Sequence, residues 1–127
     1  MKLITIETQL VIEVHNEIIE PSELQGLAPD KSIEGIMSRI QTRINYGLVH
    51  DIYSLAACYA CYIVVGHAFN DANKRTAYQC MDLVLMLNGI ELNLDRDTAG
   101  TLIIECANHT KDEDALAEWL REQPEVE

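Results

Sequence analysis

Residues 67–75, with the sequence HAFNDANKR, bring together a histidine, a carboxylate and two cations. These polar side chains interrupt two strongly apolar stretches, so their presence needs an explanation. A helix is predicted to begin near Asn73, and the unpaired N–H groups at a helix start, together with the helix dipole, favour an anion. This combination of residue types indicates phosphate chemistry.

Four side chains of this segment suit phosphate transfer. His67 can accept a proton from an attacking hydroxyl group. Asp71 can hold a magnesium ion that bridges phosphates. Lys74 and Arg75 can neutralise the charge that develops on the transferred group. Phe69 is expected to point into the core and fix the loop. Because a lone histidine near a helix end is more often a structural residue than a base, the residues alone leave both interpretations of His67 open.

Hydrophobic periodicity predicts the elements that must position this segment. Thr5 is expected to cap a first helix, which ends before Pro21. The buried stripe of that helix is expected to consist of Ile6, Leu10, Val14 and Ile18. Residues 22–30, which contain a glycine and a proline, are expected to form a loop.

The third and fourth helices, on either side of HAFNDANKR, are the most apolar parts of the chain. Asp51 is expected to cap the third helix, which runs to about Gly66, and the fourth helix is expected over residues 73–87. A second helix is expected to begin at Asp30 or Ser32, and a left-handed C-cap at Asn88-Gly89 is expected to end the fourth. Asp97 is expected to cap a fifth helix, and a capping box at residues 110–113 is expected to open a sixth. The sequence therefore predicts an all-α fold, a compact six-helix bundle around the third and fourth helices.

Composition restricts the class of protein. The 127 residues are expected to form one domain, residues 1–127. With 9 basic and 21 acidic residues the formal net charge is −12, which repels a phosphate backbone, so direct binding of nucleic acid is not expected.

The longest charge-free run, Ile52–Gly66, is shorter than the roughly 20 residues that a bilayer requires. The N-terminal pattern is typical of an amphipathic helix rather than a signal peptide. We expect a cytoplasmic protein without a membrane association.

The four cysteines include a C-x-x-C pair, Cys58 and Cys61. This spacing also places both side chains on one face of a helix. Since no second close Cys/His pair completes a set of four ligands, we interpret the cysteines as small buried apolar residues in a reducing cytosol rather than as a zinc site.

HAFNDANKR resembles the Fic family signature H-P-F-x-D/E-G-N-G/K-R, and the resemblance continues through DIYSLAACYACYIVVGH, RTA, LNGIEL and ALAEWLRE. It covers nearly the whole chain, and the small size is similar to the death-on-curing branch of the family. The resemblance implies a toxin of a toxin–antitoxin module that uses ATP and Mg²⁺. It implies His67 as the base, Asp71 as the magnesium ligand, and Asn73, Lys74 and Arg75 as phosphate contacts.

Three positions are informative: Ala68 stands where Pro is usual, Ala72 stands where Gly is usual, and Lys74 stands where AMP-transferring relatives have a second Gly. Relatives with N-K-R are understood to bind ATP reversed and to transfer its γ-phosphate. The resemblance therefore implies a protein kinase that acts on a translation factor, elongation factor Tu being the expected target. AMP transfer to a protein hydroxyl is the alternative. A non-catalytic binding module is disfavoured because every residue type that the chemistry needs is present.

The resemblance also bears on regulation. Fic proteins that inhibit themselves carry a helix with a glutamate that reaches the phosphate-binding arginine, and no segment is predicted to do so here. Inhibition is therefore expected from an antitoxin peptide or protein that binds beside the active loop. His15 is interpreted as a partly buried structural residue. Arg39 and Arg43 are interpreted as partners of surface carboxylates.

Overall fold

The computed structural model describes residues 2–127. These residues form six helices: α1 (Thr8–Ile18), α2 (Ile33–Asn45), α3 (Ile52–Gly66), α4 (Asn73–Leu87), α5 (Arg96–Ala107) and α6 (Glu113–Arg121). The prediction of an all-α six-helix bundle is confirmed. Among residues 2–127 no helix combines the length and the apolar composition needed to cross a membrane.

Helix α3 is the centre of the bundle and packs against α2, α4, α5 and α6. Its residues 54–61 are all buried, as expected for a helix that is apolar nearly all round. Asp51 caps it as predicted, because its carboxylate accepts a hydrogen bond from the Ser54 N–H at 2.8 Å. Arg121 of α6 donates to the same carboxylate at 2.8 Å. The cap thereby also joins the last helix to the first turn of the central one.

Helix α1 differs from its prediction in both its start and its buried face. It begins at Thr8 with Glu7 as the N-cap, not at a Thr5 cap, and it buries Val11 and His15. The backbone of Ile6, before the helix, exchanges hydrogen bonds with the Tyr59 hydroxyl of α3 at 3.1 and 3.2 Å. The N–H and carbonyl of Ile6 are therefore engaged with Tyr59, outside the hydrogen-bond pattern of the helix. Of the predicted stripe, Ile6 is buried, whereas Leu10, Val14 and Ile18 are only partly buried.

The caps of α5 and α6 also lie two residues away from their predicted positions. The N-cap of α5 is Asp95 rather than Asp97, and its carboxylate accepts from the Thr98 hydroxyl at 2.6 Å. The N-cap of α6 is Asp112, which accepts from the Ala115 N–H at 2.9 Å. Thr110, the predicted cap, instead donates its hydroxyl to the Glu105 carbonyl at 3.1 Å and satisfies the end of α5.

All four cysteines are free thiols and are buried. Cys61 of α3 and Cys106 of α5 are in contact where the two helices meet. This location agrees with the interpretation of the cysteines as small core residues.

Candidate functional site

The chain turns from α3 into α4 through residues 67–72, which we call the motif loop. Both of its ends adopt the left-handed conformation, with φ of 47° at His67 and 67° at Ala72. A non-glycine residue in this region costs about 1–2 kcal/mol, so the surrounding structure must hold the loop. Ala72 occupies the position at which the signature usually has glycine, which adopts such a φ without this cost. Just before the loop, Gly66 lies so close to the Ile36 side chain that a methyl group there would overlap it.

The motif loop is anchored in the core by its own Phe69 ring and by the ring of His15 from α1. Phe69 is buried as predicted, with 2% of its surface exposed. Its ring lies parallel to that of His15 from α1, with centroids 3.8 Å apart and an angle of 6° between the planes. His15 Nε2 donates to the Asp71 carbonyl oxygen at 2.9 Å. His15 is fully buried, not partly buried as predicted, and its contacts support the structural interpretation.

Asn73 ties the motif loop to the first turn of α4. Its side-chain oxygen accepts from the Phe69 N–H at 3.1 Å, and its side-chain nitrogen donates to the Phe69 carbonyl at 2.8 Å. Both polar atoms of the amide are thus engaged with the loop backbone. The group that Asn73 offers to a phosphate in this structure is its backbone N–H at the helix start.

A second loop, residues 19–32, runs beside the motif loop, and we call it the flanking loop. Its backbone pairs with that of the motif loop, through Ala28 N–H to the Ala68 carbonyl at 2.7 Å and Asn70 N–H to the Gly26 carbonyl at 3.0 Å. The Asn70 side chain adds a bond to the Gln25 carbonyl at 2.9 Å. The predicted loop at residues 22–30 is confirmed, and it forms an edge of the site.

The flanking loop also engages two of the predicted functional side chains. The Leu24 N–H donates to the Asp71 carboxylate at 3.3 Å, and Glu23 forms an ion pair with Arg75. The pKa of the Glu23 carboxyl is held below its ordinary value, first by the hydrogen bond from the Glu20 N–H and then by Arg75. Glu23 lies in the flanking loop, and not on a separate helix of the kind that self-inhibiting relatives are expected to use. Glu23 and Arg75 are 52 positions apart, so the sequence contains no local signal of their contact.

The predicted site residues all line one hollow of about 370 Å³, which we call the catalytic hollow. They are His67, Asp71, Asn73, Lys74 and Arg75. The opposite wall comes from α5 through Ile104, Ala107 and Asn108, which the sequence did not single out. His67, Lys74 and Arg75 are exposed, whereas Asp71 is half-buried.

The start of α4 at the floor of this hollow has the properties of an anion site. The N-cap residue Ala72 makes no side-chain hydrogen bond to the first turn, and the first intrahelical bond is donated by the Thr76 N–H to the Ala72 carbonyl at 3.0 Å. The preceding N–H groups have no partner four residues back along the chain. The helix dipole and two adjacent cations, Lys74 and Arg75, add positive potential at the same place.

Asp71 is the carboxylate of the hollow that fits a magnesium ion. Among residues 2–127 no three His, Cys, Asp or Glu side chains are arranged to hold a metal ion. Mg²⁺ is commonly bound through one or two carboxylates together with substrate phosphates and water. A single partly exposed Asp71 beside an anion site therefore suits a metal that is bound together with a nucleotide.

Arg43 lies outside this arrangement and pairs with Glu113 of α6 at 3.2 Å. This agrees with its interpretation as a partner of a carboxylate.

The sequence model of the Fic/DOC family matches residues 5–85, which contain α1 to α3, the motif loop and most of α4. The chain belongs to the Fic/DOC family. It is similar to the protein named "Protein kinase doc" of Escherichia phage P1, with 33% identity over 98 residues that make up 77% of each chain. The resemblance seen in HAFNDANKR is thus confirmed, and the Fic/DOC match includes every predicted site residue.

Proposed function

We propose that this Fic/DOC protein is a toxin that transfers the γ-phosphate of ATP to a hydroxyl group of a translation factor, with elongation factor Tu as the expected target. The observation that carries the proposal is the catalytic hollow. It combines an exposed histidine, a carboxylate and two cations at an uncapped helix start. The similarity to a relative named as a protein kinase supports phosphate transfer over AMP transfer, and so does Lys74 in place of glycine.

In the proposed reaction each side chain has one task. The phosphates of ATP lie against the first N–H groups of α4, beside Lys74 and Arg75, whose charges offset the charge of the transition state. His67, exposed at the edge of the hollow, accepts the proton of the target hydroxyl. The hydroxyl oxygen bonds to the γ-phosphorus, the bond from that phosphorus to the β–γ bridging oxygen breaks, and ADP leaves. Asp71 would hold Mg²⁺, which supplies charge neutralisation between the phosphates.

Inhibition by an antitoxin in trans is part of the proposal. The flanking loop leaves Leu24 and Leu27 68% and 49% exposed beside the motif loop. Large apolar side chains at the edge of a site favour contact with another protein. Because the chain has a net charge of −12, we expect the bound antitoxin segment to carry basic residues as well as apolar ones. A segment that folds as it binds can cover both the loop and the hollow.

Expression in bacteria tests the toxin proposal. The parent chain should arrest growth, and His67→Ala should relieve the arrest while the purified variant keeps the parent's helical circular dichroism. His50→Ala is the matched control, because His50 is an exposed histidine that precedes the Asp51 cap. Growth arrest by a folded His67→Ala variant at the parent's level would remove His67 from the mechanism.

A further inference from the structure

Two buried thiols meet where α3 packs against α5. The Sγ of Cys61 lies 2.7 Å from the Sγ of Cys106, and the two residues are only 3% and 1% exposed. A disulfide holds its sulfurs about 2.05 Å apart, so a bond requires the two sulfurs to move by less than about 1 Å. Because the cysteines are 45 positions apart, that bond would join two separate helices of the bundle.

The thiol pair stands directly behind two walls of the catalytic hollow. Val64, one helical turn after Cys61, lines the hollow from α3, and Ala107, the neighbour of Cys106, lines it from α5. The two cysteines themselves belong to the hydrophobic core. A covalent bond between them would therefore fix the position of one wall relative to the other.

The contact makes one of the two thiols the better nucleophile. The hydrogen bond that Cys61 donates holds the pKa of the Cys106 thiol below its ordinary value. The same hydrogen bond, together with burial, raises the pKa of Cys61. Since the thiolate is the attacking species, Cys106 reacts first. Cys106 is also the next-to-last residue of α5, and helix ends open locally at a low cost in free energy.

The other two cysteines differ from this pair in their reactivity. Burial raises the pKa of Cys58 to about 11 and that of Cys80 to about 12. Buried thiols with a raised pKa stay protonated at neutral pH and are inert. The chain therefore contains internal references against which selective oxidation of Cys61 and Cys106 can be measured.

We propose that Cys61 and Cys106 form an oxidation-sensitive pair, which a hydroperoxide converts to a disulfide that ties the α5 wall of the catalytic hollow to α3. With hydrogen peroxide, the Cys106 sulfur attacks the O–O bond and becomes a sulfenic acid. The leaving oxygen takes up the Cys106 proton and departs as water. The Cys61 sulfur then bonds to the Cys106 sulfur, the S–OH bond breaks, and its hydroxyl leaves with the Cys61 proton as a second water. Two thiols are thus oxidised while one peroxide is reduced, and a small thiol reverses the change by exchange.

The test treats the purified chain with hydrogen peroxide, denatures it, alkylates the remaining thiols and maps them by mass spectrometry. The parent should lose two of its four alkylatable thiols, and a peptide pair joined through Cys61 and Cys106 should appear and then disappear with dithiothreitol. Cys106→Ala should form no linked pair. Cys58→Ala, on the same helix as Cys61, is the matched control and should form the bond as the parent does.

Hydrogen exchange measures the effect on the hollow. Amides 104–107, in the last turn of α5, should exchange more slowly in the oxidised parent than in the reduced one. Those of α1, which packs against α2 and α4, should not change.

Two results would overturn the proposal. One is a parent that keeps four alkylatable thiols, or that carries an oxidised but unlinked Cys106, after peroxide treatment. The other is a linked protein in which the α5 amides exchange as fast as in the reduced protein. Neither measurement uses ATP or a protein target, so this proposal and the proposed function can fail separately.

Discussion

Replacement of His15 by alanine is the substitution that most directly tests how the motif loop is held. His15 is fully buried, its ring is stacked on Phe69, and its Nε2 donates to the Asp71 carbonyl. Loss of the ring pair costs about 0.5–1.5 kcal/mol. The carbonyl left without its donor costs roughly 1–3 kcal/mol. We therefore expect His15→Ala to lower the free energy of unfolding by about 1.5–4.5 kcal/mol.

The same change should affect activity through Asp71. His15 contacts no predicted reacting group directly, so it is a positioning residue whose loss frees the backbone that carries the Asp71 carboxylate. Phosphate transfer by the folded fraction should fall, and it should require more Mg²⁺ to reach half its maximum rate. His15→Gln keeps an N–H donor but not the aromatic ring. It should restore part of the magnesium response while remaining less stable than the parent.

Urea unfolding and a magnesium titration of the transfer rate are the assays. Gln9→Ala, at an exposed position of α1, is the control and should change the unfolding free energy by less than about 0.5 kcal/mol. If His15→Ala stays within that limit and keeps the parent's magnesium response, the reasoning about the loop is refuted.

Three further substitutions test other contacts. Glu23→Gln removes the charge that pairs with Arg75, so ATP should bind more tightly in calorimetry, and an unchanged affinity would show that the pair does not compete with phosphate. Lys74→Gly should lower phosphate transfer on the order of 100-fold and leave room for AMP adducts in mass spectra, whereas a variant as active as the parent would exclude Lys74 from the mechanism. Asp51→Ala should cost about 1 kcal/mol of stability through loss of the α3 cap. Burial raises the pKa of Asp51, but hydrogen bonds from Arg121 and the Ser54 N–H outweigh it and hold the pKa below the ordinary 3.8. The ionised Asp51 carboxylate therefore contributes its full stabilisation above about pH 3.8, and this stabilisation is lost as the pH falls through the lower folded pKa. In urea unfolding, the free energies of unfolding of parent and variant should converge in acid and stay apart in base.

Local patterns predicted the parts of the fold that local interactions determine. Ser32 and Asp51 cap their helices with side chains that accept from the backbone three residues later, and Gly89 ends α4 with a φ of +83°. The composition of HAFNDANKR predicted a loop between α3 and α4 and a set of residues that line one hollow. Each of these signals lies within a few residues of the structure that it specifies.

Features that depend on contacts between residues far apart in the chain could not be predicted from the sequence. The start of α1 depends on the Tyr59 hydroxyl, 53 residues from Ile6, and the bond from His15 to the motif loop joins residues 56 apart. The ion pair of Glu23 with Arg75 depends on the path of the flanking loop. Periodicity and capping patterns report one helix at a time, so they contain no information on which side chains meet when the helices pack.

The central claim is that the γ-phosphate, and not AMP, is transferred to a protein. The most direct measurement incubates the purified chain and Mg²⁺ with bacterial lysate and ATP labelled at either the α- or the γ-phosphate, followed by gel separation of the proteins. The account predicts a labelled protein band with γ-labelled ATP alone, and no such band with His67→Ala. A band that depends on His67 and appears with α-labelled ATP would contradict phosphate transfer and assign AMP transfer to the catalytic hollow.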